Sequence, residues 1–242
     1  MARLDRELVR RGLVASRAKA ATAIAAGQVA VDKVVARKPA ASVSAQSQIT
    51  VAGLDHYVSR AAHKLRAALA GSGTDVSGRR VLDAGASTGG FTQVLLESGA
   101  AAVYAVDVGH GQLAPSLAAD PRVTVWEGVN LRDLALEHVG GEPVDVVVAD
   151  VSFISLKLIL APMLAALRPD GLALLLVKPQ FEVGRAALNS QGVVKDAALR
   201  DAAVAEVVAA AAGLGWVCDW RDVSQLPGES GNVEWFVHLV RG

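Results

Sequence analysis

From Arg79 onward the chain alternates apolar runs with stretches of helical spacing, and no other feature restricts its fold as strongly. The runs are Val81-Leu82, Ala102 to Val106, Val123 to Trp126, Val144 to Ala149 and Leu172 to Val177. Short runs of this kind with helices between them mark a parallel sheet covered on both faces. Helices are expected to begin near Phe91, Gln112, Ser155 and Asp196. Trp216 to Val223 and Val233 to Val240, separated by a Pro227-Gly228 turn region, read as a closing antiparallel hairpin.

A length of 242 residues and an apolar fraction of 52% suffice for one large or two modest domains. Charged residues are 20% of the chain and sum to zero, which excludes disorder as the dominant state. The single Cys218 excludes a disulfide framework and suits a reducing compartment. No run approaches the roughly 18–20 apolar residues of a spanning helix. The charged start from Arg3 leaves no apolar segment for a secretion signal. A soluble, cytoplasmic protein with no membrane partner is expected. The neutral total hides an asymmetry, because residues 1–66 hold twelve Lys and Arg against four acids. A basic front on an acidic body points to a polyanionic partner, although a solvated basic helix surface would leave the same count.

The front end reads as two helices followed by short strands. Leu4, Leu8 and Val9 share one face of a helix from Arg3 to Arg11, and Gly12 ends it. Ser16 has the place of an N-cap for a second helix that stops at Gly27. Strands are expected at Gln28 to Val31, Val34-Val35 and Ile49 to Val51, with the Ser-rich stretch Ser42 to Ser47 loosening the chain between them. This order, with Ser16-Arg17 before the second helix and Gly27-x-Val-x-Val-Asp32 after it, resembles the S4 RNA-binding domain. The resemblance implies that Arg3, Arg6, Arg17, Lys19 and Lys38 contact phosphates of structured RNA, contacts that position a protein without reading bases. The expected organisation is an S4-like domain over residues 1–54, a linker over 55–58 and a second domain over 59–242. The second domain opens with a helix from Ser59 to about Ala70, closed by Gly71-Ser-Gly73.

The loop after the first apolar run reads Asp83-Ala-Gly-Ala-Ser-Thr-Gly-Gly-Phe91. Small residues let the backbone turn sharply and approach a nucleoside closely. A dinucleotide fingerprint needs GxGxxG, whereas Ser87 interrupts it and leaves Gly85, Gly89 and Gly90; NAD stays the alternative cofactor. Asp107 ends the second run, where a carboxylate can accept hydrogen bonds from ribose hydroxyls. Seven strands in this order with a terminal hairpin resemble the class I, Rossmann-like methyltransferase fold. S-adenosylmethionine is therefore the expected cofactor, held by Asp83, Gly85, Ala86, Ser87, Gly89, Gly90, Asp107, Val108, Asn130, Asp150 and Phe153.

Chemistry is expected at the strand ends. Asp150, Lys178 and Glu234 each have an ordinary reading as well: a helix cap, a lysine snorkelling to solvent, and a solvent-facing acid inside a strand. With Lys64 they form the Lys-Asp-Lys-Glu set of ribose 2′-O-methyltransferases, in that family's order. A ribose hydroxyl is a poor nucleophile and must lose its proton as it attacks a sulfonium methyl. A neutral lysine can take that proton where burial and a neighbouring cation favour the uncharged amine. Lys178 is the expected base and Lys64 the neighbouring cation, with Asp150 and Glu234 orienting the amines. Methylation of an exocyclic amine fits poorly, because no Asn/Asp-Pro-Pro-aromatic stretch follows Ala149. Carbon methylation needs a cysteine nucleophile, and Cys218 lies in the terminal hairpin. No residue spacing calls for a metal.

The motifs Ser59-Arg-Ala-Ala-His-Lys64, Asp83 to Phe91, Asp107-Val-Gly, Asp150-Val-Ser-Phe-Ile-Ser155, Val177-Lys-Pro-Gln-Phe-Glu182 and Gly231-Asn-Val-Glu234, behind an S4-like module, resemble the TlyA family with its FtsJ-like methyltransferase domain. The resemblance implies cytidine 2′-O-methylation of ribosomal RNA and a link to capreomycin susceptibility; the family also carries a hemolysin A label. Its inter-domain tetrapeptide reads Arg-Ala-Trp-Val in some members and Asp55-His-Tyr-Val58 here, which puts any switching role of that segment in doubt. Ending at Gly242 resembles the shorter family type, which modifies large-subunit (23S) RNA, so the 50S subunit is the expected partner. Two other classes stay open: a non-catalytic RNA-binding or assembly factor, and a membrane-active hemolysin.

Overall fold

In the computed structural model, which describes residues 2–14, 16–52 and 56–242, the chain divides into two units, residues 1–56 and 57–242. The first unit runs β1 (Ala2–Arg3), α1 (Leu4–Arg10), α2 (Arg17–Ala25), β2 (Val29–Val31), β3 (Val34–Val35), β4 (Ser42–Val43) and β5 (Ile49–Val51). Helix α2 starts where expected, because the Ser16 hydroxyl accepts a hydrogen bond from the Lys19 N–H and satisfies one orphan donor of the first turn. Asp32 and Lys33 both take positive φ, 50° and 69°, which matches the twist of the β2–β3 hairpin. Leu4, Leu8, Ala20, Ile24, Val29, Val43 and Ile49 are among the residues of one small core.

The Ser-rich stretch differs from its expectation. Ser42-Val43 pairs antiparallel with Ala2-Arg3, and the Ser44 and Ser47 hydroxyls bond each other and each other's N–H. Serine side chains that close a turn on themselves order the segment without any apolar signal. Of the expected linker, Leu54 at its boundary and Asp55 lie outside the described residues. Val58 donates its N–H to Gln93 Oε1 at 2.9 Å, so that end is tied to the second unit.

The second unit runs α3 (Ala61–Ser72), β6 (Arg80–Ala84), α4 (Gly90–Glu97), β7 (Ala102–Val106), α5 (Pro115–Ala118), β8 (Val123–Trp126), β9 (Val144–Ala149), α6 (Leu160–Ala165), β10 (Leu167–Val177), α7 (Pro179–Glu182), α8 (Ala197–Gly213), β11 (Trp216–Val223) and β12 (Trp235–Arg241). Its sheet has seven strands in the order β11-β12-β10-β9-β6-β7-β8. Strand β12 runs antiparallel to both neighbours, and the other recorded pairs are parallel. Alternate residues feed two cores. Val81, Val146, Val148, Leu174 and Phe236 face one, which includes α3 and α4 residues; Leu82, Val147, Ala149, Leu175 and Val237 face the other, with α6 and α8 residues.

Several boundaries move. Strand β10 begins at Leu167 rather than Leu172, with a register irregularity across the Pro169–Gly171 stretch. The helix expected at Gln112 begins at Pro115, whose fixed φ suits a first helical position. Ser155 caps a single 3-10 turn, Leu156–Leu158, before α6. Glu234 precedes β12 instead of lying inside it.

Candidate active site

The strand order reverses about β6, which pairs with β7 on one side and β9 on the other. Open α/β sheets leave a crevice beyond the strand ends at such a point. Here a cleft of about 750 Å³ is lined by Lys64, Gly85, Ser87, Asp150, Ser152, Phe153, Lys178, Gln180 and Glu234, among others. All of it belongs to the second unit.

The loop after β6 forms the floor. A Cβ on Gly85, at φ +85°, would lie 2.8 Å from the Asp150 carbonyl oxygen, so only glycine fits that turn. A Cβ on Gly90 would lie 2.5 Å from Ser59 Oγ, so glycine there lets the start of α3 close on α4. Ser87 takes φ +47°, and its N–H donates to Asp107 Oδ2 at 2.8 Å. The other oxygen of Asp107 accepts from the Gly109 N–H at 2.7 Å. The carboxylate is thus pinned at the loop by two backbone donors, with a further lone pair on each oxygen. Below the loop Asp83 is fully buried. Its Oδ2 accepts from the Thr92 hydroxyl at 2.6 Å, while Oδ1 has no hydrogen-bond partner among the described residues. Burial pushes this carboxyl up to about 7; the Thr92 hydroxyl opposes the rise and the Asp150 carboxylate adds to it.

The four residues expected to carry chemistry meet at one edge of this cleft. Ala149 pairs with Leu175 and Val177 with Trp235, so Asp150, Lys178 and Glu234 lie at the ends of three adjacent strands. Lys178 Nζ is 2.6 Å from Asp150 Oδ1 and donates to Ser152 Oγ at 2.9 Å. Lys64, from α3, donates to Glu234 Oε2 at 2.6 Å, and Gln180 donates to Glu234 Oε1 at 3.1 Å. The ordinary readings fall away. Only 11% of the Lys178 side chain and 2% of Glu234 are exposed, and the Ser155 turn is capped by Ser155 itself.

Among the other expected residues, Ala86, Ser87 and Asp107 surround a second, shallow hollow beside Gln112 and Trp126. Asn130 lines neither space. Its side-chain oxygen accepts from the Arg132 N–H and caps a 3-10 turn, the ordinary task of an asparagine there. Val108 is exposed outside both, and Gly89 lines neither directly. Phe153 stands 91% exposed at φ +65° on the cleft rim, its ring 5.2 Å from that of Phe181. In the first unit Arg3 and Arg17 both hold Asp5, and Arg6, Lys19 and Lys38 are exposed.

Sequence reasoning missed Thr92, Ser152, Gln180 and the anchoring role of Glu182. Glu182 accepts from the Ser155 hydroxyl at 2.5 Å and the Leu156 N–H at 2.7 Å, which fixes α7 beside the cleft. For Ser152, Gln180 and Glu182 the one signal was position, within a few residues of a strand end; Thr92, inside α4, had none. Among the described residues, no group of three or more His, Cys, Asp or Glu is placed to hold a metal ion, and no helix is long and apolar enough to cross a membrane. Cys218 lies half-buried in β11 with its Sγ against the Trp220 carbonyl, away from the cleft.

A seven-stranded sheet in this order, with one antiparallel strand and a glycine loop after its central strand, defines a class I, Rossmann-like methyltransferase. Residues 57–241 match the FtsJ-like methyltransferase family and residues 2–49 the S4 domain. The chain is 52% identical over 240 residues to the Mycobacterium tuberculosis 16S/23S rRNA (cytidine-2′-O)-methyltransferase TlyA, covering 98% of this chain and 89% of the relative. It is 39% identical over 190 residues to the Campylobacter jejuni 23S rRNA (cytidine-2′-O)-methyltransferase TlyA, covering 76% and 71%. A solved Streptococcus thermophilus protein bearing a hemolysin name superposes with a TM-score of 0.76 at 36% identity, covering 99% and 88%. The chain belongs to the FtsJ-like methyltransferases, within the TlyA family that joins them to an S4 domain.

Proposed function

We propose that this protein uses S-adenosylmethionine to methylate the ribose 2′-hydroxyl of cytidine in ribosomal RNA, with Lys178 as general base. The observation that carries the reading is the double ion pair at the cleft edge, Lys178 with Asp150 and Lys64 with Glu234. The floor of the cleft suits a nucleoside cofactor: Gly85 keeps the loop free of a Cβ, Asp107 offers carboxylate lone pairs, and the orphaned Asp83 oxygen lies beneath. Residues 85–90 and Asp107 would hold the nucleoside, and Asp83 would set the polarity under it. When bound, the cofactor supplies an electrophilic methyl group on a sulfonium.

A neutral amine carries two N–H bonds and one lone pair. Ser152 Oγ accepts one N–H of Lys178 and the Asp150 carboxylate lies 2.6 Å from the same nitrogen, so the amine is held at the cleft, with a lone pair to offer when it is uncharged. The 2′-hydroxyl proton moves to that lone pair as the ribose oxygen attacks, and the Asp150 carboxylate stabilises the resulting ammonium. Glu234 and Gln180 fix Lys64, and Glu234 balances its charge. Alignment of the hydroxyl should supply much of the rate.

Large-subunit RNA is the proposed acceptor, because 23S RNA is common to the names of both relatives. Lys178→Ala should lower methyl transfer to ribosomal RNA by about 10²- to 10⁴-fold, while calorimetry shows cofactor binding retained. Full activity in that variant would remove Lys178 from the mechanism. Mapping ribose methylation on both ribosomal RNAs, from cells with and without the protein, identifies the acceptor, and methylation confined to small-subunit RNA would overturn the assignment.

A further inference from the structure

The first unit is basic, yet among its described residues two acids are the most sheltered charged groups: Asp5 and Glu7 are both buried on α1. Each is gripped by two arginines, and the two knots differ. Glu7 binds Arg10 and Arg11, and Arg11 goes on to donate to the backbone carbonyls of Ser44, Ala45 and Ser47. That knot ties α1 to the serine turn. Asp5 binds Arg3 and Arg17 instead. Among the described residues these guanidiniums donate to no other protein group, and their side chains are 47% and 56% exposed.

The geometry within the Asp5 knot is specific. Arg3 presents Nε and Nη2 to the two carboxylate oxygens at 3.1 Å each. Arg17 presents Nε and Nη2 to Oδ2 at 3.2 and 2.8 Å. The Arg6 backbone N–H donates to Oδ1 at 2.9 Å and fixes the carboxylate against the first turn of α1. Both guanidiniums therefore offer the same edge to Asp5 and keep their Nη1 groups for an outside acceptor. Two positive charges around one negative charge leave a net single positive charge, the complement of one phosphodiester.

We propose that Asp5 is a positioning residue for RNA capture, its carboxylate holding Arg3 and Arg17 as a two-armed fork for a single backbone phosphate. A free arginine loses rotamer entropy when it grips a phosphate, and one already held in place loses less. Arginine hydrogen bonds hold Asp5 ionised well below the usual carboxylate range, so the fork stays assembled at neutral pH. This inference rests on the reading that the basic unit meets ribosomal RNA.

The decisive variant is Asp5→Asn, because two physical pictures predict opposite signs. If charge alone governs, removing an acid from a basic surface tightens RNA binding and steepens its salt dependence. If Asp5 positions the fork, affinity of the full-length protein for 23S ribosomal RNA transcribed in vitro falls about tenfold, the scale of one charge-assisted hydrogen bond. The KM for RNA then rises, and kcat and the KM for S-adenosylmethionine stay as they were. Arg17→Lys keeps the charge, loses the fork and should weaken binding similarly. Tighter or unchanged binding by a folded Asp5→Asn protein overturns the proposal. If hydrogen exchange shows that Asp5→Asn melts the first unit, Arg17→Lys decides instead, and unchanged affinity there overturns it. Arg17→Ala separates the two levels: no loss at any salt concentration removes the RNA reading itself, whereas loss there with a gain in Asp5→Asn overturns the fork alone.

Discussion

In residues 1–56 the acids Asp5 and Glu7 are buried and most of the arginines that hold them reach outward; in the cleft of residues 57–242 both members of each pair are withdrawn from solvent. The contrast separates two uses of one chemistry. An outward cation on a buried acid is oriented and still available to an anion in solution. A withdrawn amine between acceptors has a fixed direction and a reaction partner that must come to it. Asp5 and Asp83 repeat the contrast in protonation. Hydrogen bonds from Arg3 and then Arg17 keep Asp5 ionised far into acid, whereas burial keeps the Asp83 carboxyl protonated up to about pH 7.

The largest test of this contrast is structural. Truncating one partner of a withdrawn pair leaves an uncompensated charge, so Glu234→Ala should cost about 3–5 kcal/mol in urea unfolding. The double variant Lys64→Met with Glu234→Leu should recover much of that stability without recovering methyl transfer. Arg17→Ala, on the outward type of pair, should leave unfolding nearly unchanged because Asp5 retains Arg3. Equal losses for Glu234→Ala and Arg17→Ala would erase the distinction.

A smaller effect is expected from pH. In the unfolded chain Asp83 gives up its proton near 3.8, whereas in the folded protein it does so near 7. Its contribution to stability is therefore present in full below about pH 4 and is lost as pH rises through 7. Asp83→Asn should flatten that decline in thermal melts between pH 5 and 8; an unaltered decline would show that another group causes it. Smallest is Ser152→Ala, which removes the hydroxyl that accepts a hydrogen bond from Lys178. The expected loss in kcat is roughly tenfold, about 1.4 kcal/mol in the barrier, with unchanged KM for RNA and rescue by Ser152→Thr. A loss confined to KM would give Ser152 a role in binding and none in orienting the amine.

The sheet was legible because its central strands are buried on both faces and read as nearly unbroken apolar runs, such as Val144 to Ala149. Asp150 and Lys178 stood out because a charge directly after such a run has few ordinary explanations. Glu234 was harder, since an acid beside alternating residues looks solvent-facing until the β10–β12 pairing places it against Lys64. Strands β1 and β4 are two residues each and held by backbone bonds, so no side-chain pattern announces them. Burial of Asp5 and Glu7 was invisible for another reason: Arg10 and Arg11 stand at ordinary helical spacing from Glu7, as on any solvated helix face, whereas Arg17 reaches Asp5 and Arg11 reaches the serine turn only in the folded unit. Ser152, Gln180 and Glu182 act through contacts made across loops, and loop geometry leaves no periodic trace.

Gly85 has one more consequence. With no room for even a methyl group between it and the Asp150 carbonyl, the glycine loop and the segment carrying Asp150 and Ser152 touch directly through their backbones. A side chain at position 85 would therefore press on the very backbone that carries the two groups beside the Lys178 amine, so the fit of the floor and the setting of the wall share one residue.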